Sequence, residues 1–386
     1  MRNRVAEDAV GPADFSPLKT FTCSSCRQPV FFENIRCECC GSALGFVAAA
    51  GTMLAFSGER DDAWKSVGRT SSETYKPCRN YRCENVCNWV MRTTDENEFC
   101  ESCRLTEIIP ALSQPENKDR WFRLEQAKRR LIYSLLGLKL PLRTRIDDPE
   151  RGLSFRLLEQ IPGQAPILTG HADGVVTLNI AEADDAHREK TRTAMREPYR
   201  TLLGHFRHEI GHYFWMLLVD GSEWLGEFRK LFGDERQNYA QALKSYYDNG
   251  APANWAENFI SAYASAHPWE DWAETWAHYL HVTDGLDTAR AWGVNLQPPK
   301  RDVAAVNAAN LQRGIDDFGT KLLEQWLPLT RFLNSLNRSL GHADAYPFTV
   351  ATPVLEKLRF IDRVIKATAE TPDTGNSEPA DLSSIR

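Results

Sequence analysis

The chain lacks any apolar run long enough to cross a bilayer. Its longest, Leu44 to Phe56, has 13 residues and includes two Gly and a Thr, whereas a transmembrane helix needs about 20 apolar residues. An excess of positive charge is missing as well. Lys and Arg number 46 against 52 Asp and Glu, a net charge of -6, so the broad electrostatic footprint of a nucleic-acid binder is absent. The opening MRNRVAEDAV carries two arginines with no apolar stretch behind them, which is not the pattern of a secretory signal. The cytoplasm is the default expectation. The composition is not that of a disordered chain either: 42% of the 386 residues are hydrophobic and 25% charged, enough for two or three globular domains.

The C-terminal two thirds lack cysteine. All ten cysteines lie between Cys23 and Cys103. Disulfide scaffolds are typically short and secreted, so clustered thiols here point to metal. The first cluster is Cys23-x2-Cys26, ten residues, then Cys37-x2-Cys40. Each CxxC turn offers two thiolates to one tetrahedral zinc, the spacing of a zinc ribbon. Cys39 is then a spare thiol that could replace Cys37 or Cys40. The second cluster holds five thiols for four positions. Cys78, Cys87, Cys100 and Cys103 are the expected set, with Cys83 as a substitute for Cys78. An iron–sulfur cluster also takes four thiolates, but two ribbon-type turns favour zinc. Such metal-folded segments serve as scaffolds or protein-docking modules. Nucleic-acid recognition is disfavoured, because residues 1–108 contain 13 Lys and Arg against 15 Asp and Glu.

Residues 1–20 read as a loose tail, 21–108 as the two cysteine modules, 109–370 as a further domain and 371–386 as a disordered tail. In the further domain helical patterns dominate. The exception is 154–185, where alternation and Gly and Pro turn signals predict two or three strands ending in Val175–Ile180. The following 23 residues, EPYRTLLGHFRHEIGHYFWMLLV, have helical spacing and no internal Pro beyond the second position. The charge run at 184–197 reads as a solvated helix or lid. Most of the eleven Trp sit at helical spacing beside Ala and Leu and are expected in the core.

Within the 23-residue helix stands His208-Glu209-Ile210-Gly211-His212. Positions i and i+4 share a helix face, so both imidazoles can reach one metal ion. Glu209 lies about 100° round the axis, beside the metal, where it can serve as general base and then acid. Downstream, Pro268 suits the first turn of a second helix, on which Glu270 and Glu274 stand four apart. Glu270 can be a third ligand, and Glu274 can accept a hydrogen bond from a ligating imidazole. An alternative register puts Glu274 on the metal and His278 behind it. His205 packs or caps on the same helix, and His171, His187 and His342 belong to no motif.

The ribbon cysteines, the second cluster with CNW, GHFRHEIGHYFW and HPWEDWAETWAHYLH together resemble the bacterial zinc-binding metallopeptidases, over most of residues 21–365. The resemblance implies an α+β fold: a zincin-like metallopeptidase domain, mainly helical with a small sheet, preceded by the zinc ribbon and a second four-cysteine zinc module. More distantly the catalytic pieces are similar to gluzincins, including the peptidase domain of anthrax lethal factor. That group carries Glu-x-x-Ala-Glu or Glu-x-x-x-Asp with the first Glu on zinc, which Glu270 and Glu274 match. The lethal-factor pattern has a Tyr seven residues before the ligand Glu, and Tyr263 stands there; its phenol would stabilise an oxyanion. The separation of His212 from Glu270, with 213–262 between, departs from the pattern. The implied activity is hydrolysis of a peptide or protein by one catalytic zinc, with two structural zincs. The competing expectation is a zinc-scaffolded binding or regulatory protein with a catalytically silent HEIGH site.

Overall fold

A computed structural model describes residues 20–57, 63–68, 72–167, 169–195, 197, 200–296 and 318–370. All but residue 20 of the expected N-terminal tail, and the whole C-terminal tail, lie outside the described residues. The described chain begins with two short antiparallel strands, β1 (Phe21–Thr22) and β2 (Pro29–Val30). Only Pro29–Val30 of the apolar segment PVFFEN is strand, because Asn34 accepts a hydrogen bond from the Phe31 N–H and turns the chain.

The 13-residue apolar run folds into a hairpin. β3 (Ala43–Val47) and β4 (Thr52–Ser57) pair across a short turn in which Gly51 takes φ 60°, a conformation that favours glycine. With β5 (Trp64–Ser66), β6 (Thr74–Pro77) and β7 (Trp89–Arg92) they form a closed five-stranded barrel, completed by parallel pairing of β3 with β7. Val47, Leu54, Phe56, Trp64, Tyr75 and Val90 form its own small core. Sequence patterning predicts short β segments here but not a barrel, since the closing pair is far apart in the chain.

The second layer of structure is built on β8 (Thr106–Ile108), β9 (Ser154–Leu158), β10 (Gly170–Ala172) and β11 (Val175–Asn179), in the order β10-β11-β9-β8. Of the two or three strands expected in this segment, three are present, the last ending at Asn179, and β8 adds a parallel neighbour to β9. A short helix α1 (Arg79–Arg82) belongs to the cysteine region. Beyond it run α2 (Pro115–Gly137), α3 (Asp185–Met195), α4 (Leu202–Leu218), α5 (Leu225–Phe232), α6 (Tyr239–Asn249) and α7 (Pro268–Ala291). From residue 318 come α8 (Phe318–Lys321), a π-helical turn Leu322–Trp326, α9 (Leu327–Ser339) and α10 (Thr352–Glu370). The fold is thus small cysteine modules followed by a mostly helical α+β domain.

The modules and the helical domain share apolar packing. Phe32, Phe46 and Trp89 form a cluster with Tyr133 of α2, with Phe32–Phe46 and Phe32–Tyr133 ring centroids both 5.0 Å apart. Such aromatic contacts add to the burial itself, by about 0.5–1.5 kcal/mol each. Beside β8, Lys128 of α2 is fully buried and is neutralised by Glu125 at 2.8 Å, while its ammonium also donates to Thr106. A buried lysine is tolerable only with such partners. Tryptophans are found in the core, as expected; Trp89, Trp121, Trp272 and Trp276 are all fully buried, whereas Trp292 is exposed.

Candidate metal centre

Among the described residues three clusters of metal-ligating groups come together. In each, the donor atoms lie within 4.8 Å of one another: Cys23, Cys26, Cys37 and Cys40; Cys78, Cys87, Cys100 and Cys103; and His208, His212 and Glu270. Cys39 and Cys83 are exposed and stand outside the clusters.

In the first cluster the same turn is made twice. The Arg27 N–H donates to the Cys23 carbonyl and the Gly41 N–H to the Cys37 carbonyl, each at 2.8 Å, and Arg27 and Gly41 both have positive φ. The turns set Cys23 Sγ 3.7 Å from Cys40 Sγ and Cys26 Sγ 3.6 Å from Cys37 Sγ. A side-chain hydrogen bond with Ser42 holds the Cys40 thiol down to about 6. In the second cluster, backbone N–H groups of Trp89 and Cys100 donate to Cys87 Sγ and Cys78 Sγ. Burial, and then the three neighbouring thiols, push Cys100 well above the ordinary range. Four crowded sulfurs cannot all ionise beside one another without a cation, so this donor set fits a divalent metal.

The third cluster rests on two helices. Thr201 caps α4 by accepting the Gly204 N–H at 3.0 Å, so this helix starts later than the 23-residue pattern suggests. His267 caps α7, its Nδ1 accepting the Trp269 N–H, and Pro268 fills the first turn, as its missing N–H allows. Trp272 of α7 donates to the Gly211 carbonyl at 2.8 Å. A Cβ on Gly211 would lie 3.0 Å from Ala273 Cα, so glycine permits the close approach of the helices. This contact brings Glu270 over the two imidazoles.

His208 Nε2 lies 3.3 Å from His212 Nε2 and 3.0 Å from Glu270 Oε2, and His212 Nε2 lies 3.7 Å from Glu270 Oε1. Behind His208, Glu274 Oε1 is 2.7 Å from Nδ1, and Glu274 Oε2 accepts a 2.6 Å hydrogen bond from Ser261. Burial resists a charge on His208, yet the carboxylates of Glu270 and Glu274 outweigh it and hold its pKa well above the usual range. Conversely, burial opposes ionisation of Glu270, but His212 and His208 keep its pKa well below the usual range. Glu270 Oε2 is buried without a hydrogen bond despite its proximity to His208. Two imidazoles and this carboxylate, with donor atoms within 4.8 Å of one another, form a set that fits zinc.

Glu209 is buried, its Oε1 3.5 Å from His205 Nε2. His205 in turn faces Glu182 at 3.7 Å, and Glu182 is bound by Arg200 at 2.9 Å. Tyr263 lies with its ring 6.0 Å from that of His208, and burial, then the charge of Glu270, push its phenol up beyond the ordinary range. His278 is buried against the Tyr346 hydroxyl at 2.8 Å and is no member of the His208–His212–Glu270 cluster. Sequence patterns missed Ser261 and Tyr239, whose hydroxyl donates to Glu270 Oε1 at 2.6 Å. His171 on β10, assigned to no motif from the sequence, packs edge-on against Tyr213 with ring centroids 6.1 Å apart and is no member of the cluster. No spacing rule connects these residues to the HEIGH helix.

A model of a zinc-ribbon domain matches residues 20–114, and a model described as "Putative zinc-binding metallo-peptidase" matches residues 117–364. The chain belongs to that family. It is similar to uncharacterized proteins of Mycobacterium tuberculosis (strain H37Rv) and Mycobacterium bovis. Each is 43% identical over 353 residues, which cover 91% of this chain and 96% of the relative. No solved structure matches. Among the described residues no helix is long and apolar enough to cross a membrane.

Proposed function

We propose that the protein is a zinc-dependent peptidase of gluzincin type, acting on a peptide or protein in the cytoplasm. The observation that carries this reading is the convergence of His208, His212 and Glu270, with the buried carboxylate of Glu209 next along the same helix. When bound by these three residues, zinc supplies Lewis-acid polarisation of the scissile carbonyl and of water. Glu209 takes the proton from the attacking water and later delivers it to the leaving amine. Tyr263, kept protonated by its surroundings, donates to the oxyanion of the tetrahedral intermediate. Glu274 orients His208 through Nδ1.

Among the described residues β10 pairs with β11 alone, at the end of the sheet that packs on α4. An extended substrate backbone would pair along its other edge, supplying the missing strand partner. In this reading residues 109–370 carry catalysis. Two structural zincs, held by the Cys23–Cys40 and Cys78–Cys103 sets, make residues 21–108 a rigid module for docking a protein.

The test is Glu209→Gln in the full-length protein, assayed on a mixed peptide pool with zinc content measured in parallel. Zinc should stay at the wild-type level while turnover falls by at least about a hundredfold. Undiminished turnover in the variant would remove Glu209 from its role. A wild-type protein that carries the third zinc but cleaves nothing would favour the scaffold reading, with a silent HEIGH site.

A further inference from the structure

Helix α6 has no buried residue, yet its first residue reaches the metal cluster. Tyr239 Oη donates to Glu270 Oε1 at 2.6 Å. The ring of Tyr239 is steadied from the side by His267 and Trp269, at centroid distances of 5.1 and 5.8 Å. Asn238 caps α6 by accepting the Gln241 N–H at 3.0 Å, which fixes where Tyr239 leaves the backbone. The two oxygens of Glu270 thus have different surroundings. Oε1 is engaged by the phenol, and Oε2 is buried, without a hydrogen bond, 3.0 Å from His208 Nε2.

From this asymmetry we infer that Tyr239 is a positioning residue, selecting Oε2 of Glu270 as the single oxygen offered to the metal. The inference rests on the zinc site proposed above. A carboxylate with both oxygens free can rotate and bind through either or both, whereas a phenol hydrogen bond to one oxygen holds the plane of the group and limits its coordination to the other. Partners behind a ligand typically change metal affinity by about 10–100-fold when removed. Tyr239 acts from outside the two helices that carry HEIGH and Glu270, so α6 becomes part of what holds the metal.

The experiment compares wild type, Tyr239→Phe and Tyr247→Phe, all full length. Tyr239→Phe keeps the ring and removes only the donor; Tyr247, exposed on the same helix, is the control. Zinc per chain is counted first, and chelator competition then gives the affinity of the most weakly held ion. We expect three zincs in the wild type and a loss of roughly tenfold or more in third-ion affinity in Tyr239→Phe, with the cysteine-bound zincs retained and Tyr247→Phe unchanged. A change below about threefold in Tyr239→Phe, or an equal loss in Tyr247→Phe, overturns the assignment while leaving the zinc site standing. Two zincs in wild type overturn both, and the absence of the third ion identifies the site itself as the failure.

Discussion

His208 Nδ1 lies 2.7 Å from Glu274 Oε1, and the other oxygen of that carboxylate accepts a hydrogen bond from Ser261. With Glu274 ionised, Nδ1–H is the donor, which leaves Nε2, facing His212 and Glu270, as the nitrogen that would give up its proton to a metal. Glu274→Ala removes the acceptor and frees the ring to rotate. The expected result is about 10–100-fold weaker binding of the HEIGH-site zinc, with the cysteine-bound ions kept, read by chelator competition. Wild-type affinity in that variant would be incompatible with an orienting role for Glu274.

The two spare cysteines make a separate prediction. Cys39 and Cys83 are exposed and outside the clusters, while Cys78, Cys87, Cys100 and Cys103 are buried together. Cys39→Ser and Cys83→Ser should leave zinc content and urea stability within about 0.5 kcal/mol of wild type, as for surface changes elsewhere. Cys100→Ser should lose one zinc and cost more than about 3 kcal/mol, since loss of a metal is one of the few changes that exceed the ordinary ~0.5–3 kcal/mol. A lost zinc in Cys83→Ser would mean that the ligand exchange open in the sequence takes place.

These contrasts show what a linear sequence can convey. CxxC turns and HEIGH are local: the ligand pairs are three or four residues apart, and turn or helix geometry converts that spacing directly into proximity. The strands at 154–180 were legible for the same reason, through alternation. The barrel was not, because its strands are short and β3 closes on β7 across a long stretch of intervening chain. Tyr239 and Ser261 reach Glu270 and Glu274 from separate segments, and Tyr, Ser and Glu at those separations carry no pattern. The glycine in HEIGH was visible but unexplained until α7 was seen against it.

Gly211 allows that contact. An added Cβ would stand 3.0 Å from Ala273 Cα and 3.2 Å from Trp276 Cβ, so α7 would have to shift by a few tenths of an ångström. Overpacking costs about 1–3 kcal/mol, and the better helix propensity of Ala offsets up to about 1 kcal/mol. With the full offset, Gly211→Ala should be destabilised by up to about 2 kcal/mol in urea unfolding. Its HEIGH-site zinc should also bind more weakly, since α7 carries Glu270 and Glu274. A variant more stable than wild type would show that the helices have room to spare.

Acid should weaken the fold through Glu182. Burial opposes its ionisation, but His205 and Arg200 prevail and hold its pKa down to about 2, against the ordinary 4.5. A carboxylate depressed in the folded state contributes stability above its unfolded pKa and loses it as pH falls towards the folded value. The window here runs from about pH 4.5 down to about pH 2. The contribution is on the order of 1–2 kcal/mol once solvent screening is allowed for. Glu182→Gln should accordingly be less stable than wild type by that amount at about pH 7, and the two urea midpoints should converge as the solution approaches about pH 2. Other carboxylates and the zinc ligands titrate in both proteins, so the difference between the two curves isolates Glu182. A gap that stays constant across that whole range would mean that the Arg200 pair contributes through packing rather than charge.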